Sequence, residues 1–404
     1  MTTVAGRAQA TTEPYVGPVR RVAGASRLAS LDVVRGVAMI LMAIDHVRVY
    51  SGVPAGGPTP GVFFTRWITH FVAPAFVFLA GTGAYLHGAK LGSRRALSRF
   101  LLTRGLWLVL LELTVIRVAW TFNFDFAHYM LAGVIWMLGW CMVLMSALVY
   151  APVAVNATIG IAIIALHNVT GFLHLDAAAQ HSALSWLWQL LYFDGGFQIG
   201  PNGPPLLILY VIVPWIGVMM AGYAFGAVMQ LPPERWRAIS LRLGLGATAA
   251  FVVLRAVDVY GDPRPWSGHG PLAFLATTKY PASLLFLLMT LGPMFIGIAI
   301  ADRIRGRVSD VVATFGRVPL FYYLLHIPLI HAAACVVSLF REGRIDPWLF
   351  GNHPMNPGPV PAGYVWSLPL LYLVFAVCVT ILYFPCRWYA RVKAERRSPW
   401  LSYL

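Results

Sequence analysis

Runs of about twenty apolar residues recur along the chain between short polar segments, and none of them alternates with a period of two. A helix rises about 1.5 Å per residue, so each run is long enough to cross a hydrocarbon core of roughly 30 Å. Backbone groups in lipid must be satisfied internally, which leaves helices or closed barrels, and barrel strands alternate where these runs do not. The pattern therefore predicts an all-α, polytopic membrane helix bundle with about ten transmembrane helices. The spans fall at about 31–50, 64–87, 100–121, 127–149, 152–169, 205–230, 239–258, 281–301, 319–340 and 366–387. Residues 1–28 read as an N-terminal tail rather than a signal peptide, because no apolar core is followed by a small-residue cleavage site. Residues 29–390 then form one transmembrane domain and 391–404 a C-terminal tail.

Composition changes this picture little: 59% of the 404 residues are hydrophobic and only 11% charged, where soluble chains carry about a quarter. The net charge of +15 raises the question of nucleic acid, but the basic residues sit in clusters between apolar runs, so no nucleic-acid partner is expected. They mark topology instead. Arg20, Arg21 and Arg27 precede the first span; Lys90, Arg94, Arg95 and Arg99 lie between the second and third. Arg235, Arg237 and Arg242, then Arg303, Arg305 and Arg307, then Arg391, Lys393, Arg396 and Arg397 follow at the same side of a ten-span chain. This places both termini in the cytoplasm. The opposite loops at 170–204, 259–280 and 341–365 are longer and richer in Pro, Gly, Asp and aromatic residues, as suits covers for an outward site. Within the first, Ser185 to Phe193 reads as an interfacial amphipathic helix. Cys141, Cys335, Cys378 and Cys386 lie in or beside apolar runs with no CxxC or Cys/His spacing, so we read them as reduced small hydrophobes.

Titratable groups inside spans are costly and point to function, with a partner expected nearby. The first span holds Asp32, Arg35, Asp45, His46 and Arg48. Helical spacing puts Asp32, Arg35, Met39, Met42 and His46 on one stripe. Arg35 and His46 are separated by roughly 16 Å along the axis, so a phosphate-bearing donor can meet the arginine while its reactive end approaches the histidine. The second span opens with Arg66 and His70, followed by Pro74, which can kink it; His46 and His70 are expected to face one cavity. Glu112 with an arginine, and Arg255 with Asp258, read as structural ion pairs, while His128, Lys279, His326 and His331 complete the set. For each histidine the alternative is a hydrogen-bonded interior residue. No HExxH, GxSxG or Walker loop occurs, and nothing in the spacing asks for a metal.

These motifs resemble a known family. Ser30-Leu31-Asp32-Val33-Val34-Arg35-Gly36, Asp45-His46, the run Phe63 to Pro74 leading into Phe76 to Gly81, Lys279 to Leu284, Phe315 to His326 and the closing Trp400 to Leu404 are similar to the bacterial DUF1624 family. That family is grouped with the catalytic domain of heparan-α-glucosaminide N-acetyltransferase. The resemblance implies a membrane acyltransferase of ten or eleven helices in the bacterial inner (plasma) membrane. It implies acetyl-CoA as the acyl donor and an extracytoplasmic acceptor, a glycan, with membrane lipids around it. Where the lysosomal enzyme carries a histidine in a longer segment between its first two spans, this chain has only Ser51 to Val62, rich in Gly and Pro. An acceptor other than heparan sulfate is expected.

On this reading His46 is the general base or transient acyl carrier, with Asp45 or His70 orienting it. Asp32 and Arg35, joined by Arg104 and Arg317, hold the donor phosphates. Arg66, His326 and Lys279 stand near the substrate. The rival readings are a transporter whose charged groups line a substrate or proton path, and a scaffold whose polar pairs fix helix packing.

Overall fold

The computed structural model of the chain describes residues 24–172, 184–193, 195–266, 270–301, 303–304, 306–396 and 401. Most of the expected N-terminal tail, residues 173–183, Arg305, Arg397 and most of the closing Trp400 to Leu404 motif lie outside the described residues.

Helix α1, Gly24–Ser51, carries the charged stripe and ends where Gly52 turns left-handed at φ +70°, a conformation that glycine adopts without strain. Helix α2, Pro60–Leu91, starts under the Thr59 hydroxyl, which accepts the Val62 N–H, with Pro60 in the first turn. It tightens to a 3-10 turn at Ile68–Phe71, just before Pro74, where the missing proline N–H relaxes the ladder. Helix α3 covers 94–121, capped by Ser93 and widened to a π turn at Glu112–Ile116. There follow β1, Met130–Ala132; α4, Val134–Leu148; α5, Val153–Leu166; β2, Gly195–Gln198; β3, Pro205–Ile208; and α6, Trp215–Val228. The chain continues with α7, Pro233–Val257; α8, Leu284–Ala301; α9, Arg307–Arg317; α10, Pro319–Glu342; and α11, Leu368–Glu395.

The fold is mostly helical, but it is not all-α. A three-stranded sheet in the order β1-β3-β2 replaces parts of the expected spans 127–149 and 205–230. Met130 to Ala132 pair in parallel with Leu206 to Ile208, and β2 runs antiparallel on the other side. The sequence punctuation explains it: Gly133 on one side and Pro204, Pro205 and Pro214 on the other interrupt the helical register. The backbone groups so released pair with each other, as buried groups must. Helices α4 and α6 are consequently 15 and 14 residues long, below the roughly 20 that a full crossing takes. Among the described residues, five helices are long and apolar enough to cross a membrane, namely Pro60–Leu91, Pro233–Val257, Leu284–Ala301, Pro319–Glu342 and Leu368–Glu395. The exposed faces of α7 and α11 carry Val253, Val257, Leu373, Ile381 and Phe384, an apolar surface that suits acyl chains.

Within Ser185 to Phe193, where an interfacial helix was expected, a helix forms at Ser185–Leu191 with Trp186 and Trp188 exposed. Helix α11 ends at Glu395, and the stretch between the expected spans 281–301 and 319–340 holds α9, which begins at Arg307. Helix α9 buries Ala313 to Gly316 against α1. The two backbones touch: a Cβ at Gly36 would run into the Val312 carbonyl, and one at Gly316 into the Asp32 carbonyl. Small residues at such crossings let helices approach. We expect Gly316→Val to lower unfolding stability by about 1–3 kcal/mol through overpacking, read from thermal denaturation in detergent. An unchanged midpoint would mean that the helices do not cross this closely.

Candidate functional site

The α1 stripe opens on a cavity of about 480 Å³, within the usual range for small-molecule sites. At the end of the bundle that bears the basic clusters, its walls carry Asp32 and Arg35 from α1, His87 and Lys90 from α2, Arg104 from α3, Arg317 from α9 and Lys393 from α11. Five cationic side chains thus converge with one carboxylate. Asp32 organises two of them: Arg35 Nη1 lies 3.3 Å from Asp32 Oδ1 and Arg317 Nε 3.9 Å from Oδ2. Arg35 Nη1 also donates to the Gly316 carbonyl at 2.9 Å, so the close crossing of α1 and α9 fixes the guanidinium. Further in, the lining turns apolar, with Met39, Leu79, Leu101, Leu108, Ile135 and Met142, and it reaches Tyr323.

Beyond Tyr323 lie two imidazoles. His46 of α1 and His326 of α10 are joined Nδ1 to Nε2 at 2.6 Å. The Tyr323 ring stands edge-on to both, at centroid distances of 6.5 Å and 5.0 Å, and Trp120 closes the other side of His46 at 4.7 Å. His46 is half-buried and His326 fully buried. The His326 ring is anchored through Nδ1 to the Tyr323 carbonyl at 2.7 Å and the Tyr322 carbonyl at 3.2 Å.

The expected orienting partners of His46 need correction. Asp45 is adjacent in sequence, about 100° round the helix, and it turns to Arg48 Nε at 2.8 Å and Arg66 Nη1 at 2.5 Å. His70 is brought against Phe286 of α8 at 5.4 Å, and its Nδ1 is buried without a partner. No described hydrogen bond joins His70 to His46. The 3-10 turn at Ile68–Phe71 changes the phase of α2 at that point.

Asp45 instead anchors a second polar cluster. Arg66 reaches Thr69 Oγ1 at 3.3 Å and the Tyr280 hydroxyl at 3.5 Å, and Tyr280 meets Tyr210 at 3.5 Å. The Lys279 ammonium, on a residue 8% exposed, sits over the Tyr280 and Tyr210 rings at 5.2 Å and 5.8 Å. The predicted residues thus separate into three groups. Asp32, Arg35, Arg104 and Arg317 line the cavity; His46 and His326 pair beyond Tyr323, outside the cavity lining; Asp45, Arg66 and Lys279 gather in another cluster.

Other charged residues and histidines find partners away from the cavity. Glu112 does not pair with an arginine; its Oε2 accepts the N–H groups of Ile135 and Trp136 at 2.9 Å and 3.2 Å, capping α4. Arg117 donates to the carbonyls of Tyr129, Asn123 and Asp125. Arg255 and Asp258 do pair, at 3.8 Å. His331 stacks on Phe122 and Tyr50. His128 is 80% exposed, and its hydrogen bond holds the Asp125 carboxyl below its usual range. Among the described residues no group of three or more His, Cys, Asp or Glu is placed to hold a metal. Sequence reasoning did not assign His87, Lys90 or Lys393 to the site. Lys90 and Lys393 lie in clusters that already served as topology markers, and nothing in their spacing distinguishes the two uses.

A family model described as heparan-alpha-glucosaminide N-acetyltransferase, catalytic, matches residues 27–257, more than half of the chain. The match takes in the α1 stripe, the cavity walls from α2 to α4 and Arg66, and stops before Lys279, Arg317, His326 and Lys393. No curated protein matches the chain.

Proposed function

We propose, from the premise that the chain belongs to the heparan-α-glucosaminide N-acetyltransferase catalytic family, that it moves an acetyl group from cytoplasmic acetyl-CoA to a glycan acceptor across the bilayer. The observation that carries this reading is the cavity itself, cationic at one end, apolar along its length and ending at Tyr323 below the His46–His326 pair. A CoA thioester has the same polarity: phosphates at one end, a long neutral arm, and the reactive carbonyl at the far tip.

In this reading Arg35, Arg104 and Arg317, with Lys90 and Lys393, hold the phosphates through charge-assisted hydrogen bonds. Asp32 keeps Arg35 and Arg317 aimed. The pantetheine arm lies along Met39, Leu108 and Ile135, and the thioester reaches the histidine pair. His46 takes the proton from the acceptor's amine or hydroxyl as that group attacks the carbonyl carbon. The C–S bond then breaks, and the departing CoA sulfur takes the proton from the imidazolium. Transfer through an acetyl-imidazole on His46 uses the same groups in two steps. Asp45, Arg66 and Lys279 form the acceptor side.

The topology that serves this is about ten passes, with 29–390 as the membrane domain and both termini in the cytoplasm of a bacterial plasma membrane. Helices α4, α5 and α6 complete their crossings through the strands and loops that extend them. Calorimetric titration of the purified protein with acetyl-CoA and a series of longer acyl-CoAs tests the donor site. We expect saturable binding of acetyl-CoA and of CoA, weakening as the acyl chain lengthens against Tyr323. An absence of binding would overturn the donor assignment.

A further inference from the structure

We propose that His326 is a positioning residue that sets the tautomer of His46, leaving His46 Nε2 as the basic atom. This rests on the acyl-transfer reading of the site and adds a residue beyond the matched 27–257. The protons can be placed from the backbone outwards. A carbonyl oxygen can only accept, so the nitrogen 2.7 Å from the Tyr323 carbonyl and 3.2 Å from that of Tyr322, His326 Nδ1, carries a hydrogen. A neutral imidazole with its hydrogen on Nδ1 has its lone pair on Nε2. That lone pair faces His46 Nδ1 at 2.6 Å, so His46 Nδ1 carries a hydrogen and donates. The His46 lone pair is then on Nε2, to which no described residue hydrogen-bonds.

The opposite assignment, with Nδ1 of His46 accepting, makes His326 an imidazolium at 0% exposure. Among the described residues no carboxylate hydrogen-bonds to either ring. Asp45 is committed to Arg48 and Arg66, and Glu112 to the α4 amides. An isolated buried cation is costly, and the neutral pair avoids it. The arrangement repeats the logic of a nucleophile-activating triad, with a neutral imidazole backed by a carbonyl where a triad uses a carboxylate. When Nε2 takes the acceptor's proton, the new N–H bond forms at Nε2, the acceptor's own N–H or O–H bond breaks, and its electron pair goes to the thioester carbon. The Nδ1–H stays in its bond to His326 throughout.

The test combines two variants with a direct reading of the tautomer. His326→Leu removes the acceptor and is expected to lower kcat by about 10²–10⁴-fold, as the wrong tautomer does in a triad, with acetyl-CoA affinity unchanged. His326→Gln offers a side-chain oxygen to His46 Nδ1–H and should recover most of that loss. Nitrogen-15 NMR of histidine-labelled protein in nanodiscs, without any donor, should show His46 protonated at Nδ1 and bare at Nε2. That spectrum needs neither variant to fold nor any transferase activity, so it separates failure of this proposal from failure of the acyl-transfer reading. A wild-type His46 protonated at Nε2, or a His326→Leu variant with the full wild-type rate, would overturn it.

Discussion

His46→Ala is expected to lower acetyl transfer by about 10²–10⁴-fold, the usual contribution of a positioned general base, while the purified variant still binds acetyl-CoA. The reason is geometric. The imidazole stands past the inner end of the cavity, held between Trp120 and His326, whereas the donor's phosphates would engage side chains at the opposite end. Removing the ring deletes the proton acceptor and leaves the anion site alone. The structural cost falls on His326 Nε2, which loses its donor at about 1–3 kcal/mol, and on Trp120, which loses the ring packed against it. Turnover with labelled acetyl-CoA and glucosamine, beside a melting curve and a donor titration, separates the two effects. A variant that turns over like the wild type would remove His46 from the chemistry. One that loses donor binding as well would mean that the ring shapes the donor site.

The second large effect is expected at the cationic end. Arg35→Gln should weaken acetyl-CoA binding by about 10–100-fold, since a hydrogen bond to a charged group contributes about 1.5–3 kcal/mol and each 1.4 kcal/mol is a factor of ten. Arg317→Gln should cost less, because its side chain is 55% exposed against 21% for Arg35, and exposed charges are screened by water and salt. The wild-type affinity should therefore fall with ionic strength, and the Arg317 contribution should fade first. Equal affinity in the Arg35 variant and the wild type across the salt range would place the phosphates elsewhere.

The membrane class and the helical character were readable from the apolar runs, because a bilayer imposes length and composition on whatever crosses it. The Asp32, Arg35, Met39 stripe was readable for the same kind of reason, since a helix converts spacing into a face. All three residues line the cavity. What spacing cannot supply is the neighbour across that face. His46 meets a histidine 280 positions away, and its closest acidic residue in sequence faces a different cluster. The strands at Met130–Ala132 and Pro205–Ile208 sit inside apolar runs whose hydropathy is equally good for a helix, and only the Gly and Pro punctuation marks the break. Helix α9 is short, basic at its ends and amphipathic, so it resembled a loop until α1 supplied a surface for its small residues. Glu112 is the converse case: the residue was singled out, but its partners are main-chain amides, which carry no sequence signature.

The most direct measurement is an experimental structure of the wild-type protein with a thioether analogue of acetyl-CoA. Phosphate density is expected among Arg35, Arg317 and Lys393, the arm along Met39 and Ile135, and the analogue's acetyl carbonyl near His46 Nε2. There it would leave room for an acceptor atom about 3–3.5 Å from the carbonyl carbon. An analogue bound outside this cavity, or one whose carbonyl lies at the cationic end while its phosphates point toward Tyr323, would contradict it.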